Sequence, residues 1–164
     1  MNLFRKILWC IVAISVLTTI GTFVAQYGLG LDPCVLCIVQ RLLVMAVGCV
    51  ALCVALLTKQ QSCVGRAISA LLVSVPAVYG AGVAIYQMYL QSLPPGMAPG
   101  CGAPWSFRLR NWPLFDWYEP VVRGFGDCAV PDYVLGVPLP VWSVLYFAFV
   151  LVLLWGGWFK TRAR

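Results

Sequence analysis

The sequence contains no histidine at all and only five acidic residues among 164. Without imidazole there can be no histidine metal ligand and no histidine general base. Charge of either sign is scarce, at 10% of residues, while 62% are hydrophobic. Water-soluble globular chains run nearer half apolar and a quarter charged, and one of this size cannot hide so much apolar surface. The formal charge of +6 is not the footprint of a nucleic-acid partner. Its basic residues gather at the flanks of apolar runs instead of along one polar face. An integral membrane protein is the class that remains.

Spanning about 30 Å of hydrocarbon takes about 20 apolar residues as a helix. Four runs qualify, at about 7–27, 35–57, 67–90 and 140–159. In lipid only helices and closed barrels satisfy every backbone polar group, and continuous runs of this kind indicate helices. Pro76, Gly80 and Gly82 in the third run are tolerable there, because neighbouring helices can re-satisfy freed carbonyls. The expected fold is therefore an all-α integral membrane protein, a four-transmembrane-helix bundle forming a single domain over 1–164.

Orientation follows from the basic flanks. Arg5 and Lys6 precede the first run, Lys59 and Arg66 separate the second from the third, and Lys160, Arg162 and Arg164 follow the fourth. Four crossings put all of them on one face, which the positive-inside rule makes cytoplasmic, with both termini. The opposite face carries Asp32, Asp116, Glu119, Asp127 and Asp132, together with Arg108, Arg110 and Arg123. The basic start and apolar stretch of the first run would also suit a signal peptide. No small-x-small cleavage site follows in "TFVAQYG", so the run is read as a retained helix.

The outward loops, about 28–34 and 91–139, would then be periplasmic. The second is too long for a mere connection. It opens on "SLPPGMAPGCGAP", where Pro and Gly suppress regular structure. Further on, Leu114, Trp117, Tyr118, Val121, Val122 and Phe125 recur at helical spacing. That pattern predicts a short interfacial helix, kinked or cut short at Pro120. A lid packed on the bundle is the competing expectation.

Eight cysteines are present, and disulfides persist outside the cytoplasm but rarely within it. Topology sorts Cys34, Cys37, Cys101 and Cys128 to the oxidising side. Cys10, Cys49, Cys53 and Cys63 default to inert apolar packing. In "LDPCVLCIVQR" Asp32 can act as N-cap and Pro33 as first helical residue, which puts Cys34 on the first turn. The positive end of the helix dipole would favour a thiolate there. Arg41 lies one turn beyond Cys37, about 6 Å along the axis. An arginine inside a span is functional by default, although this one is shallow enough to snorkel. It could stabilise a Cys37 thiolate or an anionic oxygen on a bound cofactor.

Cys101 and Cys128 could simply staple the long loop, worth about 3.5 kcal/mol by chain entropy. Zinc on the four outward thiolates is disfavoured, because such centres use two close pairs and the second pair here is far apart in sequence. Taken together, a reactive pair at a helix mouth, an intramembrane cation and a second pair on an aqueous loop lay out an electron relay from water to membrane.

The motifs also carry a resemblance. "CVLCIVQR" opening the second helix, "PGCGAP" and "GDCAV" in the long loop and "PLPVW" opening the fourth are similar to the disulfide-bond formation protein B (DsbB) family, over essentially the whole chain. The resemblance implies a bacterial inner-membrane oxidase. It would re-oxidise a periplasmic DsbA-like thioredoxin-fold protein and pass two electrons to membrane quinone, ubiquinone or menaquinone. Cys101 would form the mixed disulfide with the partner, and Cys128 would be its companion and exchange with Cys34. Cys37 would meet the quinone ring, with Arg41 supporting quinone binding. Gln40 stands where relatives are often acidic, and "YQMYLQ" where a relative carries histidine, which leaves the route of the quinone protons open.

A terminal acceptor is energetically required. A DsbA-type partner lies near −120 mV and glutathione-like couples about 80 mV or more below, so an ordinary thiol pool would be uphill by roughly 4 kcal/mol. Nothing in the sequence indicates haem, flavin, nucleotide or metal binding. Two other readings fit less well. In the vitamin K epoxide reductase-like family the Cys-x-x-Cys pair falls late in the chain, and a tetraspanin-like scaffold carries adjacent cysteines in its large loop.

Overall fold

A computed structural model describes residues 3–57, 62–94 and 96–162. Lys59 and Arg164, counted among the basic flanks, lie outside them. Helix α1 spans Leu3–Phe23 and runs into one π turn, Val24–Gly28. α2 spans Val35–Leu57, α3 Cys63–Ser92 and α6 Leu139–Arg162. Between α3 and α6 lie the short helices α4, Trp105–Arg108, and α5, Phe115–Val122, and a hairpin of β1, Tyr133–Val134, with β2, Val137–Pro138. Among the described residues, four helices are long and apolar enough to cross a membrane. They close a ring in which α1 packs on α2, α2 on α3, α3 on α6 and α6 on α1.

Lipid tails are as apolar as leucine, so burial alone does not bring such helices together; close packing and interhelical hydrogen bonds do. The inner faces supply Leu8 and Ile11 from α1, Val44 and Val47 from α2, Val73 and Ala77 from α3, and Phe147, Val150 and Leu154 from α6. Gly80 lets α3 approach α6 closely: a Cβ there would run into the Phe147 ring. Across the middle, Ser15 and Tyr146 hydroxyls are 2.7 Å apart and tie α1 to α6.

α3 begins at Cys63, ahead of its apolar run, because Ser62 caps it by accepting from Gly65 N at 3.2 Å. Pro76 sits inside α3 without ending it. Arg66 reaches the last turn of α6, donating to the Thr161 carbonyl at 3.0 Å. The start of α3 and the end of α6 therefore meet at one end of the bundle.

The other end carries the long loop, which docks on the short one. Phe125 N donates to Asp32 Oδ1 at 3.1 Å, and Gly126 N to the Pro33 carbonyl at 3.4 Å. Gly124 and Gly126 are needed for this approach, since a Cβ on either would meet the backbone of Pro33 or Asp32. α5 is pinned through its C-terminal half: Tyr27 Oη donates to the Pro120 carbonyl at 2.8 Å, and Gln26 Nε2 to that of Arg123 at 3.0 Å. Val122 is buried while Trp117 and Leu114 stand exposed. The hairpin, which the sequence reading does not contain, turns on Leu135 and Gly136, both with positive φ. That is the geometry a two-residue hairpin turn needs.

Candidate functional site

At the mouth of α2 the capping residue is Cys34, not Asp32. The Cys34 carbonyl accepts the first helical bond, from Ile38 N at 3.1 Å, and its sulfur accepts from Cys37 N at 3.3 Å. A side chain at N-cap that accepts from the third helical N–H is the standard way to satisfy an orphan donor. Asp32, the residue expected there, is engaged by the long loop instead. This geometry turns both sulfurs to one side of the helix start, 2.8 Å apart as free thiols.

Cys34 is buried, at 3% exposure. Its hydrogen bond with Cys37, aided by burial, pushes its pKa well above the ordinary thiol range. Contact with a second sulfur and loss of water thus oppose the helix dipole that the sequence pattern expects to favour a thiolate at Cys34.

A third side chain completes the pair. Gln87, from α3, donates through Nε2 to Cys34 Sγ at 3.2 Å and to Cys37 Sγ at 3.1 Å. Its Oε1 accepts from Gln40 Nε2 at 2.6 Å. Sequence reasoning noted Gln40 and the segment around Gln87 only for the residues they lack. The usable signal was there, since a polar side chain within a span is costly and therefore suspect.

Arg41 lies one turn further in and is 5% exposed. Its guanidinium is held by protein groups at the loop end of the bundle. Nη1 donates to Gln26 Oε1 at 2.7 Å and to the Val121 carbonyl at 3.3 Å, and its Cζ stands 4.7 Å from the centre of the Phe23 ring. Its Nε is buried without a hydrogen-bond partner among the described residues.

Cys37 and Arg41 both face a cavity of about 120 Å³. Gln40 joins them from α2, Thr22 and Gln26 from the α1 side, Trp142 and Tyr146 from α6, and Asp132 from the loop before the hairpin. Burial, and secondarily the charge of Asp32, raise the Asp132 carboxyl above its usual pKa. Asp132 was counted in the sequence only as one acid of the outward face.

The second pair is bonded. Cys101 and Cys128 form a disulfide with a Cα–Cα separation of 6.2 Å. Cys128 is fully buried and shares a small apolar cluster with Cys34, Val35 and Leu90, against which Cys37, Cys101 and Trp105 pack. Trp105 locks the loop down by donating from Nε1 to the Val35 carbonyl at 3.2 Å. All four outward cysteines thus meet at one end of the bundle. Cys10, Cys49, Cys53 and Cys63 are free and exposed, so they serve as apolar surface and not as the packing expected of them.

The family model described as disulfide bond formation protein DsbB matches residues 4–156. The chain belongs to the DsbB family. It is 57% identical over 162 residues to "Disulfide bond formation protein B" of Neisseria gonorrhoeae, with 98% of each chain covered. To the protein of that name in Chromobacterium violaceum it is 40% identical over 141 residues, covering 85% of this chain and 82% of the other. To that of Acinetobacter baumannii it is 41% identical over 128 residues, covering 77% and 74%.

Proposed function

We propose that this DsbB-family chain re-oxidises a DsbA-like periplasmic dithiol and delivers the two electrons to membrane quinone. The observation that carries the reading is the position of Cys37. Its sulfur is within contact of Cys34 on one side and lines the Arg41 cavity on the other.

The relay is a series of exchanges, each moving two electrons. A thiolate of the partner attacks Cys101, displacing Cys128 and leaving a mixed disulfide; the partner's second thiol resolves it and departs oxidised. Cys128 attacks Cys34 of the Cys34–Cys37 disulfide, with Cys37 as leaving thiolate, and Cys101 then attacks Cys128, closing the outer disulfide and releasing the Cys34 thiol. The buried cluster that holds Cys34 and Cys128 together supports this step. Cys34 and Cys37 then return to the disulfide as their electrons leave through Cys37.

The cavity residues suit a quinone. Arg41 offers a buried, unpartnered Nε–H, a donor for a carbonyl oxygen that gains negative charge. An apolar groove lined by Ile14, Leu145 and Phe149 shares Trp142 and Tyr146 with the cavity and suits a lipid tail. A quinone bound there supplies the acceptor of two electrons and two protons. Arg41, held by Gln26 and the Val121 carbonyl, orients the acceptor, while the closed bundle excludes water. Arg5, Lys6, Arg66 and Lys160 flank the far ends of the helices, which supports an inner-membrane orientation with the cysteines facing the periplasm.

Trapping tests the entry of electrons. A partner reduced to a single reactive cysteine should form a mixed disulfide through Cys101. Capture through Cys34 in the intact protein would overturn the order of transfer.

A further inference from the structure

We propose that the Gln87 amide sets the oxidising power of the Cys34–Cys37 couple, and that Gln40 is the positioning residue that keeps its N–H side on the sulfurs. The inference deepens the relay above and rests on it for its biological meaning, though not for its chemistry.

Gln87 is 2% exposed on α3, and its side chain touches both sulfurs. It does not line the Arg41 cavity; Gln40 does, at 4% exposure. An amide can present either its oxygen or its NH₂ to a neighbour, and the surrounding network decides which. Here the Gln40 NH₂ donates to Gln87 Oε1 at 2.6 Å, much closer than the Cys37 thiol, which reaches the same oxygen at 3.7 Å, and the Gln87 NH₂ is left for the two sulfurs. Turning Gln87 over would set two NH₂ groups against each other in a buried site.

The donors act unequally on the two redox states. Electron density on sulfur is greatest in the thiolate, and hydrogen bonds to a charged acceptor are about twice as strong as neutral ones. A disulfide sulfur accepts only weakly. Two N–H groups fixed on the pair therefore favour the reduced form. In the exchange in which Cys101 and Cys128 lose two electrons and Cys34–Cys37 gains them, with two protons following, Gln87 draws the equilibrium toward reduced Cys34 and Cys37.

The test is the reduction potential of each pair in the full-length protein in detergent, without added quinone. The protein is equilibrated in glutathione buffers and its thiols are counted after alkylation. Gln87→Leu should lower the equilibrium constant for reduction of Cys34–Cys37 about tenfold, close to 30 mV for two electrons, and leave Cys101–Cys128 unmoved. Gln87→Glu keeps the shape and the acceptor for Gln40 but loses the N–H donors, so its shift should be at least as large. A merely structural role predicts the reverse order, with Glu milder than Leu. Gln40→Leu, which frees the amide to turn, should shift the couple in the same direction by less, and it serves if the Gln87 variants fail to accumulate. Equilibrium constants within threefold of the parent in the variants that accumulate would overturn the proposal. Unaltered potentials with intact quinone turnover would remove the role of Gln87 alone. Altered potentials in a protein that reduces no quinone would instead remove the relay.

Discussion

The Cys37 backbone N–H points at the Cys34 sulfur from 3.3 Å, so one cysteine of the pair is also the cap of the helix that carries the other. Substitutions at Cys34 should therefore separate structure from chemistry. Serine caps helices well, whereas loss of a capping side chain to alanine costs about 1 kcal/mol. Cys34→Ser should keep the parent's thermal unfolding midpoint in detergent, and Cys34→Ala should lower it, while both abolish electron transfer. Equal midpoints for Ser and Ala would show that the cap contributes nothing.

The same contact orders the reactivity of the two thiols. Cys34 is buried and its thiol is held protonated by the bond to Cys37, whereas Cys37 borders the cavity. In the reduced protein at neutral pH, a small alkylating reagent should modify Cys37 several times faster than Cys34, read by peptide mass. Modification of Cys34 first would contradict the geometry.

Arg41 is anchored by Gln26 and Val121 and keeps one donor free. Replacing it with glutamine should raise the KM for quinone about tenfold or more, equivalent to about 1.4 kcal/mol. The KM for the protein partner should change little. Equal rises in both would place the arginine in general stability and not in the quinone site.

Asp132 yields a pH prediction. Its carboxyl has a raised pKa in the fold, from burial first and the Asp32 charge second. Below the ordinary carboxylate value of about 3.9 the group is protonated whether folded or not, and its contribution is fully present. As pH rises through the raised value the folded state must hold a charge it disfavours, and that contribution is lost. Asp132→Asn should match the parent at low pH and become relatively more stable as pH rises to neutrality, in unfolding midpoints taken across pH. A difference independent of pH would exclude titration of Asp132.

The four spans were legible because a bilayer demands length and hydropathy, which a sequence displays directly. The gathering of Cys34, Cys37, Cys101 and Cys128 at one end of the bundle was legible because the order of the spans sorts them. What stayed hidden depends on partners distant in the chain. Asp32 followed by proline looks like a better cap than cysteine, yet Phe125 claims it, and the clue was the pair Gly124 and Gly126, which admit the loop. Gln87 lies 50 positions from Cys37 and meets it only when α3 packs on α2. Asp132 reaches the cavity from a loop ending in a hairpin whose left-handed turn at Leu135 no helical periodicity could announce.

The relay stands most directly on an oxygen-free assay of purified protein with a short-chain quinone and a reduced DsbA-like partner. One quinol should appear per partner disulfide formed, and both should vanish with Cys37→Ser. Partner oxidation that proceeds without quinone reduction, or quinol formation that survives the loss of Cys37, would contradict it.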